Sequence, residues 1–303
     1  MTQLPTERWL HSHEFHLDSE HQERATAKVL LLTAVAMVFE IVAGTVFGSM
    51  ALLADGWHMG THATAFGVTL FAYRYARAHA GDPTYSFGTG KVSVLGGFAS
   101  AVALAFAALL LMGESAHRLI EPRAIEFDAA LVVAVLGLIV NLISAGLLHS
   151  HHRDLGARDH NIRSAYLHVI TDALTSFLAI VALGFGKYLG WIWMDPLTGI
   201  FGSILIARWS YQLIRDSSHI LLDGSAGDAT RQLIRAAIEA DADNVMTDLH
   251  VWKIGSNDFA AIISLGTRTP RPADYYKQLI GDVDGLSHVS VEVNVIQPAD
   301  DGA

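Results

Sequence analysis

The 303-residue chain has no cysteine, which excludes a disulfide framework and any thiolate metal site. Charge is scarce: Asp, Glu, Lys and Arg make up 17% of the residues, where a soluble protein carries about 25%. Basic residues are fewer than acidic ones, 20 against 30, and the formal charge of -10 argues against nucleic acid as a partner. No H-E-x-x-H occurs, so the zinc-protease helix pattern is missing. A signal-peptide pattern is missing too: the start is polar and acidic up to Glu23, and the first apolar run is too long for an h-region. What the chain has instead is 51% hydrophobic residues, a mean hydropathy of +0.35, and 16 histidines. That balance points to an integral membrane protein.

Six apolar segments each approach the roughly 20 residues that cross a bilayer. They lie at about 28–48, 52–75, 91–115, 127–149, 162–186 and 195–214. Gly48-Ser49 marks a very short first turn, Gly81-Asp82-Pro83 breaks the second connection, and Asp195-Pro196 opens the last helix. Trp191 and Trp193 suit a membrane interface. Loop lysines and arginines set the orientation. Arg74, Arg77, Lys91, Arg153, Arg158, Arg163 and Arg215 fall on one side with the N-terminus; only Arg118, Arg123 and Lys187 fall on the other. The bias places both termini in the cytosol.

Two histidine-bearing pairs lie inside these spans. His58 and His62 are four apart in the second, and His168 and Asp172 are four apart in the fifth. Residues i and i+4 share a helix face. Two such helices brought together offer three imidazoles and one carboxylate, a set that tetrahedral divalent transition metals accept. A single intramembrane histidine can simply pack helices; two pairs on separate spans favour the ligand reading. Asp55 precedes His58 by three residues and reads as a gate, a proton carrier or simply a charge at the helix start. Glu40 lies mid-span in the first helix and reads as a proton relay or gate, a partner of the site histidines, or a polar helix–helix contact. Asn141 reads as helix-packing glue.

Other histidines cluster outside the spans. His11, His13, His16 and His21 lie in a polar N-terminal segment, residues 1–27, and His149, His151, His152 and His160 in the fourth connection. Each group is either a solvated stretch or an accessory metal-collecting site. His79 and Asp82 are weak candidates in the second connection, His250 and His288 read as structural, and His117 and His219 form no constellation.

After Arg215 polar residues rise. A helix over 229–240, strands over 245–254 and 259–266, a helix over 273–283 and a strand over 288–296 are expected from amphipathic and alternating patterns. The order helix–strand–strand–helix–strand suits a ferredoxin-like fold. The expected architecture is therefore an all-α membrane domain of six transmembrane helices, residues 28–217, plus a cytosolic α+β domain, residues 218–303.

With these residues in view, the chain resembles the cation diffusion facilitators, a family of divalent-metal transporters. The family's paired motif matches His58/His62 and His168/Asp172, and Tyr85-Ser86-Phe87-Gly88-Thr89-Gly90-Lys91 is similar to its Y-S-F-G-x-G-[RK] signature. Glu121-Pro122, Asn141, Asp195-Pro196 and Leu221-Leu222-Asp223-Gly224 also fall where the family has like residues. Zinc-transporting members usually have Asp where this chain has His62. Together with the N-terminal and loop histidines, that departure resembles the cobalt/nickel efflux branch, DmeF-like. The resemblance implies a homodimer in a bacterial inner membrane that exports Co²⁺ or Ni²⁺, with Zn²⁺ possible, against protons by alternating access. No permanent cofactor is expected. A zinc-selective exporter is the near alternative. From other classes, a bis-histidine membrane cytochrome would leave His62 and Asp172 unexplained, an intramembrane metalloenzyme lacks an activating carboxylate, and a metal sensor would not need six spans.

Overall fold

The computed structural model describes residues 20–79, 82–152, 160–255 and 258–297; the side chains of 20–30, 33, 61–66, 69, 73, 144–152 and 160–172 lie outside that description. Six long helices come first: α1 Glu20–Phe47, α2 Met50–Ala78, α3 Val92–Ile120, α4 Phe127–His152, α5 His160–Leu189 and α6 Met194–Leu221. Lengths of 26 to 30 residues correspond to roughly 39–45 Å at 1.5 Å per residue, beyond the hydrocarbon core of about 30 Å. Among the described residues one helix, Val92–Ile120, is both long and apolar enough by composition to cross a membrane; shorter apolar stretches run Ala34–Phe47, Phe127–Ile143 and Ala173–Leu189.

The helices carry large apolar side chains on their outer surface and bury several polar ones among apolar neighbours. Val46, Phe106, Leu109 and Val132 stand 61–69% exposed, while Glu40, Ser49, Asp55, His58, Ser115, Ser176, Asp195 and Ser203 are buried. So extensive an exposed apolar surface fits helices solvated by lipid. α2 lies between two apolar clusters. On one side Leu52 packs with Ala43 of α1, Ala130, Val133 and Ala134 of α4, and Leu183 of α5. On the other, Met50 and Ala54 pack with Leu104, Ala108 and Leu111 of α3 and Ile206 of α6. Small residues permit this closeness: a Cβ on Gly202 would meet the Ala54 Cβ at 2.7 Å. Gly48, at φ +72°, makes the α1–α2 turn and leaves no room for a side chain against the Ala124 carbonyl.

The chain divides into two compact units. One holds Asp18–Phe71 with Gly96–Arg215; the other includes Ala72–Leu95 and Asp216–Ala303. In the second, α7 (Asp228–Glu239), β1 (Val245–Lys253), β2 (Phe259–Thr267), α8 (Ala273–Leu279) and β3 (Leu286–Val295) follow the expected order. α8 ends four residues before the expected boundary, Ile280 leaving the helical conformation at φ -106°, ψ 10°. The sheet order is β1-β2-β3, with β1 antiparallel to β2 and β2 parallel to β3. In a split βαβ arrangement the crossover strands have another strand between them; here β2 and β3 are neighbours, so the element order is ferredoxin-like but the pairing is mixed. Ile234 and Ile238 of α7 and Tyr276 of α8 cover one face, formed by Leu249, Val251, Ala261, Ile263 and Leu265. The alternation that buries these residues turns Trp252, Ala260, Ile262 and His288 to the other face.

Candidate metal site

His58 is buried on α2, 2% exposed, with its ring centroid 4.8 Å from that of Trp209 on α6. Asp55, one turn earlier, is also 2% exposed, and its Oδ1 accepts a hydrogen bond from Thr175 Oγ1 of α5 at 2.9 Å. A cavity between α2, α5 and α6 is lined by Asp55, His58, Thr175 and Thr198, with Leu178, Phe201 and Leu205 as apolar walls. A dry wall with a few convergent polar groups strengthens any electrostatic interaction made there.

The start of α2 is fixed by α6. The Asp195 carboxylate accepts from Ser49 Oγ at 2.6 Å, Met50 N at 2.7 Å and Ala51 N at 3.1 Å, and Ser49 Oγ in turn accepts from Leu52 N at 3.1 Å. Asp195 thus caps a helix 145 residues earlier in the chain, satisfying amide donors that a helix start leaves orphaned. Arg118 of α3 donates to the Gly48 carbonyl at 2.7 Å, holding the same turn from another side.

Glu40 of α1, 1% exposed, lies between two glycines on two other helices. A Cβ on Gly56 would come within 3.1 Å of the Glu40 Cβ, and one on Gly137 of α4 within 1.7 Å of its Oε1. Its carboxyl oxygens have no hydrogen-bond partner among the described residues. Asn141 Nδ2 donates to Ser176 Oγ at 3.0 Å, so it bridges α4 and α5 as the sequence suggested.

Of the expected quartet, His58 is described; the side chains of His62, His168 and Asp172 lie outside the described residues, as do those of His149, His151, His152 and His160, and residues His11, His13, His16 and His21. Among the described residues no group of three or more metal-ligating side chains is brought together. The remaining candidates have local roles. His79 stacks on Tyr75 at 4.1 Å, Asp82 accepts from Thr84 N at 2.9 Å, His250 bonds Asp248 at 2.8 Å, and His219 meets the Ser225 carbonyl at 3.1 Å. Thr175, Thr198 and the Asp195 cap were not singled out from sequence; Thr175 carries a signal in being three residues beyond Asp172.

A family profile described as the cation efflux transmembrane domain matches residues 28–222. The zinc transporter ZitB of Escherichia coli is 32% identical over 294 residues, covering 95% of this chain and 91% of that protein. The cadmium, cobalt and zinc/H⁺-K⁺ antiporter of Bacillus subtilis is 33% identical over 241 residues, 78% of this chain and 76% of its own length. The metal cation efflux system protein CzcD of Cupriavidus metallidurans is 29% identical over 276 residues, 89% and 86%.

Proposed function

The chain belongs to the cation efflux family, the cation diffusion facilitators, and from that premise we propose that it is a proton-coupled zinc exporter. It is an integral membrane protein of a divalent-metal transport family. Zinc is put first because the relatives matched over most of the chain are a zinc transporter and a cadmium, cobalt and zinc antiporter. This places the zinc alternative ahead of the cobalt/nickel expectation. The second reading, Co²⁺ or Ni²⁺, keeps one specific support: His62 stands where zinc-transporting members usually carry Asp.

The observation that carries the site is the Thr175–Asp55 hydrogen bond. It apposes α5 and α2 at one depth. His168 and Asp172 precede Thr175 by seven and three residues in one continuous helix, and His58 and His62 follow Asp55 by three and seven. Such spacings share a helix face. In an up-and-down arrangement of six spans α2 and α5 run antiparallel, so both pairs fall on the same side of the bond. His58, His62, His168 and Asp172 are proposed to hold the cargo, with Asp55 and Thr175 beside it. Ligation requires neutral imidazoles and an ionised carboxylate, so binding a dication releases protons. Imidazoles titrate in the range a cellular pH gradient spans. Reprotonation from the outer side would then expel the ion. The loop-charge bias supports both termini in the cytosol, and the family resemblance supports an inner-membrane homodimer.

The test is flux in proteoliposomes with Zn²⁺, Co²⁺, Ni²⁺ and Cd²⁺ compared side by side under an imposed pH gradient. Zinc movement opposite to the proton gradient is expected, falling to background in Asp172→Asn, which removes the one negative ligand. Wild-type flux in that variant, or flux indifferent to the gradient, would overturn the reading.

A further inference from the structure

The signature loop that joins α2 to α3 is docked on the C-terminal sheet through one side chain. Trp252, Ala260 and His288 form a single row across β1, β2 and β3 on the face that α7 and α8 leave open. Two rings flank a methyl group, which makes a notch. Phe87 enters there: its ring lies edge-on to Trp252 at 5.7 Å and edge-on to His288 at 5.5 Å, and Ala260 is fully buried although it faces outward. Edge-to-face contacts at these separations are the favoured aromatic geometry.

The backbone around Phe87 is shaped to the same surface. Gly88 turns it at φ +68°. A Cβ on Gly90 would stand 2.4 Å from the Ile254 carbonyl, so the loop backbone rests against the end of β1. On its other side the loop is tied to α2, where the Tyr75 and Tyr85 hydroxyls share a hydrogen bond of 2.6 Å. Tyr75 lies 17 residues beyond His58 on one unbroken helix, about 25 Å along its axis. Two contacts in series therefore join the sheet to the helix that bears His58.

We propose that Phe87 is a positioning residue: its insertion between Trp252 and His288 is the contact through which the C-terminal domain sets the cytosolic end of α2, and with it the apparent affinity of the transport site. The proposal rests on the transport reading above and adds to it how the domain acts on that site. Phe87 remains 36% exposed, so the contact can form and break without unfolding the sheet beneath it. One aromatic edge contact is a factor of about 2 to 12 in an equilibrium constant. That is enough to shift a two-state balance and too little to lock it.

The experiment uses the full-length protein in two formats. In proteoliposomes, Phe87→Ala should raise the apparent KM for Zn²⁺ roughly three- to tenfold and leave maximal flux within about twofold. Phe87→Tyr should restore it. Trp252→Ala should show part of the Phe87→Ala effect, since His288 still faces the ring. The double variant should be no worse than Phe87→Ala alone, because that substitution already removes the Trp252 contact. In detergent, amide exchange across 85–91 should quicken several-fold in Trp252→Ala. An unchanged KM in Phe87→Ala, effects that multiply in the double variant, or unchanged exchange in the loop would each overturn the proposal. A wild-type protein that moved no divalent cation would overturn the transport reading and the kinetic role of Phe87 with it, while the exchange comparison would still judge the docking contact.

Discussion

Replacing Asp195 tests how the helix that bears His58 is held. Its carboxylate is 1% exposed and accepts three hydrogen bonds, two from the first amides of α2 and one from Ser49 Oγ. Asp195→Ala would leave three buried donors without an acceptor. Each orphan costs about 1–3 kcal/mol, and partial relaxation brings the total to roughly 3–5 kcal/mol, the range for breaking one side of a buried charged network. Asp195→Asn keeps the shape. Its carbonyl can accept from Met50 or Ala51 and its amide can donate to Ser49 Oγ, so one amide and the charge are lost, about 1–2 kcal/mol. In a unit of this size 1 kcal/mol moves Tm by roughly 2–4 °C. The expected drops are then roughly 6–20 °C for the alanine and 2–8 °C for the asparagine, read from tryptophan fluorescence of protein in mild detergent. His58 lies eight residues, about 12 Å, beyond Met50, so an unanchored helix start should also weaken zinc flux in the same order, alanine more than asparagine. An Asp195→Ala protein that melts with the wild type would refute the cap.

Gly137→Ala would drive a methyl group into Glu40 Oε1, which lies 1.7 Å from the ideal Cβ position, and overpacking of this kind costs about 1–3 kcal/mol. Glu40→Ala in the same chain should recover much of the lost melting temperature; no recovery would mean the strain lies elsewhere. Asp243 accepts from Thr267 Oγ1, Arg268 N and Thr269 Oγ1, and these bonds hold its carboxyl at about 2, below its ordinary 3.8. A depressed carboxyl stabilises the folded state above its ordinary value, so this contribution is complete above about pH 4 and is lost as pH falls towards 2. Acid unfolding of wild type and Asp243→Asn should diverge above that window and converge below it; a constant gap would count against the assignment. His62→Asp should move relative flux further towards Zn²⁺ and away from Co²⁺ and Ni²⁺, since an anionic oxygen replaces a neutral nitrogen. Unchanged ratios would remove His62 as the selectivity ligand.

The pairs His58/His62 and His168/Asp172 stand out in the sequence because helix periodicity is local, four residues sufficing to place two side chains on one face; of the four, the structure describes the side chain of His58. Polar residues within the spans are also why apolarity alone reads unevenly. α3 carries no candidate ligand and has a mean hydropathy of 2.3 in its most apolar stretch, whereas α2 and α5 give up apolar positions to histidine, aspartate and threonine. The Asp195 cap and the Thr175–Asp55 bond join residues 145 and 120 apart, and no local pattern announces such partners. The parallel β2–β3 pair was hidden for a similar reason. Alternation with period two fixes which face a strand buries but not which way its neighbour runs. Phe87 was visible only as part of a signature, since the notch it fills is built from three strands.

These contacts together constrain how α2 can work. Its first turn is capped by Asp195 and packed on both sides, by Leu52 and by Met50 with Ala54, and Tyr75 near its other end is tied to the signature loop. Close-packed interiors do not deform continuously; they move between discrete arrangements. A helix capped and packed at its start and tied near its end changes exposure of His58 most cheaply by pivoting with its neighbours. Bending would break cap and core contacts that cost several kcal/mol. The hydroxyls of Thr175 and Thr198 bring α5 and α6 to the cavity beside Asp55 and His58. A displacement of α5 against α2 by about one hydrogen-bond length breaks the Thr175–Asp55 bond, and so loosens the apposition on which the proposed metal site rests.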